Sequence, residues 1–219
     1  MGKKNFAVFG LGRFGGSLVK ELYEIDVEVL AVDKSLDKVN EFSRYATHAI
    51  QANAIDESML KQLGIRNFDL VFVSFGDDIE ASILTSLLLK ELGVVKVWAK
   101  AQNDYHHKVL EKIGVDRVIH PERDMAKRIA HYIISEKLID YIELSDEYSI
   151  VEVICSDKLH NKTITDLNLG SKYHCNLVGI QRGKDITVSP NVNEGLVKGD
   201  ILIVAGHNAD LHRFEEEGV

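Results

Sequence analysis

The chain has 219 residues, 45% of them apolar and 27% charged, enough for one large folded unit and a smaller one, each with a core of its own. Its net charge of −8, with the acidic surplus concentrated in residues 135–219, repels phosphate backbones and anionic lipid heads, so neither nucleic acid nor direct lipid binding is expected. Cys155 and Cys175 stand alone without zinc-site or redox spacing, which points to a reducing compartment, and no signal-peptide pattern or bilayer-length apolar run of roughly 20 residues occurs.

In chain order, continuously apolar runs predict strands at Phe6–Phe9, Val27–Val32, His48–Gln51, Leu70–Ser74, Val95–Ala99 and Arg117–His120. Between them, 3.6-residue periodicity predicts helices at Arg13–Tyr23, Leu36–Arg44, Glu57–Leu63, Ile79–Leu92 and Tyr105–Ile113. Strands that are apolar throughout, alternating with amphipathic helices, mean a parallel sheet covered on both faces. Pro121 suits the first turn of a further helix, and Met125, Ile129, Tyr132 and Ile133 carry that crossover helix toward Leu138. From about Tyr141 the texture changes to short β-type runs, Ile150–Ile154, Leu177–Gln181, Ile186–Val188 and Ile201–Ala205, separated by turn residues. The expected fold is α/β. A doubly wound, mostly parallel Rossmann-like sheet occupies residues 1–134, and the end of the crossover helix leads into a small α+β lobe in residues 135–219.

The first loop carries the chemistry. Gly10, Gly12 and Gly15 form G-x-G-x-x-G directly after the first strand and at the opening of the first helix. Gly10 serves the tight turn, Gly12 lets a diphosphate approach the backbone, and Gly15 lets helix and strand pack closely. Phosphates then sit on amide hydrogens at a helix N-terminus, where the dipole favours negative charge. Asp33 ends the second strand about 20 residues beyond Gly12, where a carboxylate takes the hydroxyls of an adenosine ribose. That charge disfavours a 2′-phosphate, for which Lys34 alone is a thin remedy. Arg13, beside Phe14 between the second and third glycines, reaches toward a further phosphate or a neighbouring subunit.

Other candidates stand where later strands end, the edge at which open sheets receive ligands. Asn53 and Ala54 follow the third strand and border the adenine, with Asp56 read as a helix cap. Gly76, Asp77 and Asp78 follow the fourth strand, as ligand contacts or as turn and cap. Lys100 ends the fifth, as a phosphate contact or a solvated strand end. Spacing alone gives Glu122 the ordinary role of a carboxylate in a helix's first turn. The nine histidines show no metal-binding array and read as surface or core residues. A small NAD-dependent oxidoreductase is the rival reading. Against it, no tyrosine is followed four residues later by lysine, and no acid, base and nucleophile set gathers at the ligand edge.

Residues 6–16 with Asp33, residues 82–92, the run Val97-Trp98-Ala99-Lys100-Ala101-Gln102-Asn103 and the run Ile119-His120-Pro121-Glu122-Arg123-Asp124-Met125 closely resemble the RCK (KTN) family. Within it they are most similar to the cytosolic regulatory subunits of bacterial Ktr potassium uptake systems. The resemblance implies a homo-oligomer of dimers assembled into an octameric ring, peripheral to the inner face of the membrane under a membrane-embedded potassium transporter subunit. A sensor module of another channel or exchanger fits the same residues. The implied ligands are ATP and ADP, sometimes NAD(H), with Arg13 meeting the terminal phosphate of ATP across the dimer. Glu122 would help hold Mg2+ or another cation between subunits. The family also implies a cyclic di-AMP pocket in the C-terminal lobe, here around Ile164, Asp166, Asn176, Leu177 and Pro190, although the arginine common in relatives that bind it is replaced by Gly170.

Overall fold

The computed structural model describes residues 4–134 and 138–219, and the chain divides into two compact units, Met1–Pro121 and Glu122–Val219. The first holds strands β1 (Phe6–Phe9), β2 (Val29–Asp33), β3 (His48–Gln51), β4 (Leu70–Val73), β5 (Val97–Lys100) and β6 (Arg117–Ile119). Helices α1 (Arg13–Glu24), α2 (Leu36–Phe42), α3 (Glu57–Gln62), α4 (Ile79–Glu91) and α5 (Asp104–Ile113) connect them. All six strands are parallel, in the order β3-β2-β1-β4-β5-β6. The chain moves outward from β1 to β3 and then returns to lay β4 on the other side of β1. In open α/β sheets such a reversal marks the crevice at the carboxyl ends of the strands, here β1 and β4, as the edge that receives ligands.

Side-chain alternation along the strands builds two cores. Phe9, Val32, Val73 and Val97 face Leu60 of α3, Leu89 of α4 and Leu110 of α5, while Val8, Ala31 and Phe72 face Val19 of α1 and Val39 and Phe42 of α2. Besides Leu89, the buried face of α4 is made of small hydroxyl residues. Ser82, Thr85 and Ser86 are fully buried, their hydroxyls without a hydrogen-bond partner, and their size lets the helix lie close to the sheet.

The second unit contains most of α6 (Pro121–Ile134), then β7 (Leu138–Glu143), β8 (Tyr148–Ile154), α7 (Ile164–Leu167), α8 (Leu169–Tyr173), β9 (Asn176–Arg182), β10 (Asp185–Val188), β11 (Ile201–His207) and α9 (Asn208–Arg213). Its antiparallel sheet runs β10-β9-β11-β8-β7. Val151, Val153, Ile180, Leu202 and Val204 pack against Leu167, Tyr173, Leu211 and Phe214.

One expectation is corrected here. The crossover helix does not continue to Leu138: it is helical to Ile134, and Leu138 opens a strand paired with β8 from Leu138↔Val153 to Glu143↔Ser149. The intervening residues 135–137, which the helical reading included, lie outside the described residues. Asp140 ties the two elements, accepting from Arg128 Nη2 at 2.8 Å and from the Tyr132 hydroxyl at 2.6 Å, bonds that hold its carboxyl below the ordinary carboxylate range.

Across the lobe, the buried Asp200 carboxylate accepts from Arg182 Nε and Nη2 at 2.8 and 2.7 Å and from the Val197 amide at 2.8 Å. A bidentate pair of this kind ties the end of β9 to the tight turn at Lys198-Gly199 that leads into β11. Burial pushes the Cys155 and Cys175 thiols up to about 11, so both are inert core residues. No helix among the described residues is long and apolar enough to cross a membrane.

Candidate functional site

The glycine loop lies at the crevice. Gly10 adopts φ +93°, a region open to glycine, and a Cβ there would stand 2.7 Å from the Ser74 carbonyl oxygen. At Gly15 a Cβ would collide with the Gly10 carbonyl oxygen, so the first turn of α1 closes onto its own loop only because no side chain intervenes. Gly12 differs: a Cβ there would meet nothing within 4 Å. Internal packing demands two of the glycines, whereas the third faces open space, as a backbone reserved for a ligand should.

The N-terminus of α1 is open as well. Gly12 is its N-cap, no side chain caps it, and no acidic residue occupies its first turn. By contrast, Asp56 caps α3 through the Ser58 and Met59 amides, and Asp78 caps α4 through the Ala81 amide at 3.0 Å. The cap reading holds for both; the Ser58 hydroxyl and then the cap amides keep Asp56 below the ordinary carboxylate range, and the Ala81 amide does so for Asp78. With no side-chain cap on its helix-end amides, the start of α1 has the chemistry to receive an anion.

Asp33 is buried at the end of β2. Its Oδ2 accepts from the Leu11 amide at 2.7 Å and its Oδ1 from the Ser35 amide at 2.8 Å, with the Lys38 ammonium 3.7 Å from Oδ2. A carboxylate has about four acceptor positions, so two remain for a further donor. Asp33 thus holds the glycine loop in shape from the carboxyl end of β2. Neither the Leu11 bond nor the approach of Lys38 was read from the sequence, although Lys38 lies little more than one helical turn beyond Asp33.

The remaining candidates divide. Arg13, the first residue of α1, is exposed and makes no ion pair among the described residues. Phe14 turns inward against Phe72, with ring centroids 5.8 Å apart, and the Lys100 ammonium stands 5.9 Å from its ring, which brings the end of β5 to the first turn of α1. Lys34 contacts Asp78 at 3.4 Å. Asn53 and Gly76 are exposed in the loops after β3 and β4, whereas Ala54 is buried in the core. Glu122 lies in the first turn of α6, in the second unit.

Ile164 and Asp166 lie on α7, Asn176 and Leu177 on β9, and Pro190 beyond β10. Both the amide and the hydroxyl of Thr163 already bond to Asp166 Oδ2, at 2.9 and 2.7 Å. Gly170 has open space where a side chain would stand.

A histidine group escaped the sequence. His106 and His120 are buried. His107 Nδ1 lies 2.9 Å from His120 Nε2 with the rings stacked, and the Gln102 amide donates to His106 Nδ1 at 3.2 Å. Burial, and then the His120 imidazole, push His106 below the usual imidazole range. Among the described residues no three His, Cys, Asp or Glu side chains converge on a metal position.

Comparison with known proteins places these features in context. The TrkA-N domain profile matches residues 6–121 and the TrkA-C domain profile residues 149–217. The chain is 56% identical over 214 residues to Ktr system potassium uptake protein C of Bacillus subtilis (strain 168), covering 98% of this chain and 97% of that one. It is 54% identical over 216 residues to Ktr system potassium uptake protein A of the same organism, covering 99% and 97%. Among solved structures, the GsuK RCK domain superposes with a TM-score of 0.68 at 15% identity, over 98% of this chain and 47% of that chain, a likeness of fold.

Proposed function

The chain belongs to the family built from a TrkA-N and a TrkA-C domain, and from that premise we propose that it is the adenine-nucleotide-sensing regulatory subunit of a potassium uptake system, gating a membrane-embedded partner from the cytoplasmic side. The observation that carries this reading is the uncapped N-terminus of α1, its Gly12 facing open space beside the Asp33 carboxylate. ATP or ADP would lie with its phosphates over the first turn of α1 and its ribose on Asp33. Lys100 and Arg13 supply positive charge at that end.

Sensing needs a contact that one nucleotide makes and the other does not. ADP stops at its second phosphate. The third phosphate of ATP would extend to an Arg13 side chain in a dimer and to a cation held by Glu122 at the interface. That differential contact would bias an oligomeric ring, an octamer in this reading, between two shapes. Nothing in this scheme calls for catalysis.

A thermal-denaturation panel tests the assignment: ATP, ADP, NAD, NADH and cyclic di-AMP, each with and without magnesium. ATP and ADP should each raise the Tm, by an amount that grows with ligand concentration, as ligands of the folded state must. Turnover of NADH with common carbonyl substrates, and not a rise in Tm with NADH, would favour the oxidoreductase. A rise with cyclic di-AMP would assign the second pocket around Asn176 and Pro190.

A further inference from the structure

Lys34 and Asp78 leave the sheet on opposite sides of the glycine loop. Lys34 follows β2, Asp78 lies in the loop after β4, and β2 and β4 are the strands that flank β1. Neighbouring strands lie about 4.8 Å apart, so the ends of β2 and β4 stand about 10 Å from each other with the β1 turn between them. The Lys34 ammonium nevertheless reaches Asp78 Oδ2, 3.4 Å away. A contact between these two loops crosses the carboxyl end of β1, the place where an open α/β sheet receives its ligand.

The two members differ in freedom. Asp78 is fixed, because its other oxygen accepts from the Ala81 amide as the N-cap of α4. The backbone of Lys34 is also held, its carbonyl accepting from Gln51 Nε2 at 3.1 Å. What can swing is the Lys34 side chain, 79% exposed. The adjoining residue, Asp33, is the ribose anchor. A sugar seated on it would place its base over the strand-end loops around β2, where the Lys34 side chain stands.

We propose that the Lys34–Asp78 pair is a strap across the nucleotide crevice, closed before the nucleotide enters and displaced when the adenosine end seats, so that it opposes binding. The inference rests on the nucleotide reading of the crevice. It follows that breaking the pair from either side tightens binding. A purely electrostatic role gives opposite signs instead: removing a lysine near a polyanion weakens binding, and removing an aspartate strengthens it.

Calorimetric titration of ATP into the full chain, wild type against Lys34→Gln, Asp78→Asn and the double variant, separates the two. Asparagine caps a helix as well as aspartate does, so Asp78→Asn removes the ion pair and spares α4. The strap predicts that each single variant binds ATP about twofold to fivefold more tightly, the range an exposed ion pair can supply. The double variant should gain no more than the better single one, since a pair can be broken only once. Weaker binding by Lys34→Gln, or no change in either variant, overturns the strap. Wild-type protein that binds no nucleotide removes the strap and the crevice reading together, whereas wild-type binding with the wrong signs removes the strap alone.

Discussion

Replacing Arg13 with alanine should lower affinity for ATP about tenfold or more while leaving ADP almost unchanged. A hydrogen bond to a charged partner contributes about 1.5–3 kcal/mol, and each 1.4 kcal/mol is a factor of ten. Arg13 is exposed at the first position of α1, where a cation is unfavourable against the positive end of the helix dipole. It makes no ion pair among the described residues, so its charge becomes useful when an anion arrives. If that anion is the third phosphate, truncation removes an interaction that ADP never makes. Equal losses for the two nucleotides in calorimetry would place Arg13 on a phosphate they share. No loss for either would remove it from the site.

The second large effect separates two glycines that look alike in the motif. Gly15→Ala should destabilise the first unit by about 3 kcal/mol, because the added methyl collides with the Gly10 carbonyl oxygen and neither backbone can move without disturbing the turn. Gly12→Ala adds the same methyl to open space, so the fold should melt as wild type does. On the proposed reading the methyl would project into the space the phosphates occupy, and ATP binding should fall sharply. Urea denaturation and nucleotide titration read the two outcomes separately. A Gly15→Ala protein as stable as wild type would contradict the packing argument. A Gly12→Ala protein that binds normally would contradict the site.

Much of this was legible before the structure. Continuous apolar runs bounded by glycine or acidic residues gave the strands of the parallel sheet to within a residue or two, since buried parallel strands leave little room for ambiguity. The glycine motif and Asp33 were readable because their spacing is set by one strand, one turn and one helix. Leu138 itself was misread, because the helical period continues toward it, while the strand that holds it is fixed by pairing with β8, which local pattern does not reveal.

The dual use of Asp33, the Lys34–Asp78 contact and the His107–His120 stack were also hidden. Each joins residues 13 to 44 positions apart that meet only once the strand order is known. Arg13's place between the glycines suggested a further phosphate or a neighbouring subunit, whereas its assignment to the terminal phosphate of ATP across a dimer and that of Glu122 to a cation came from family resemblance.

The most direct test is a crystal structure of the full chain grown with ATP. The account predicts phosphates within hydrogen-bond distance of the amides that open α1, above Gly12, and ribose hydroxyls on the Asp33 carboxylate. An ATP molecule bound elsewhere, with Asp33 still engaged by Leu11, Ser35 and Lys38 alone, would contradict it.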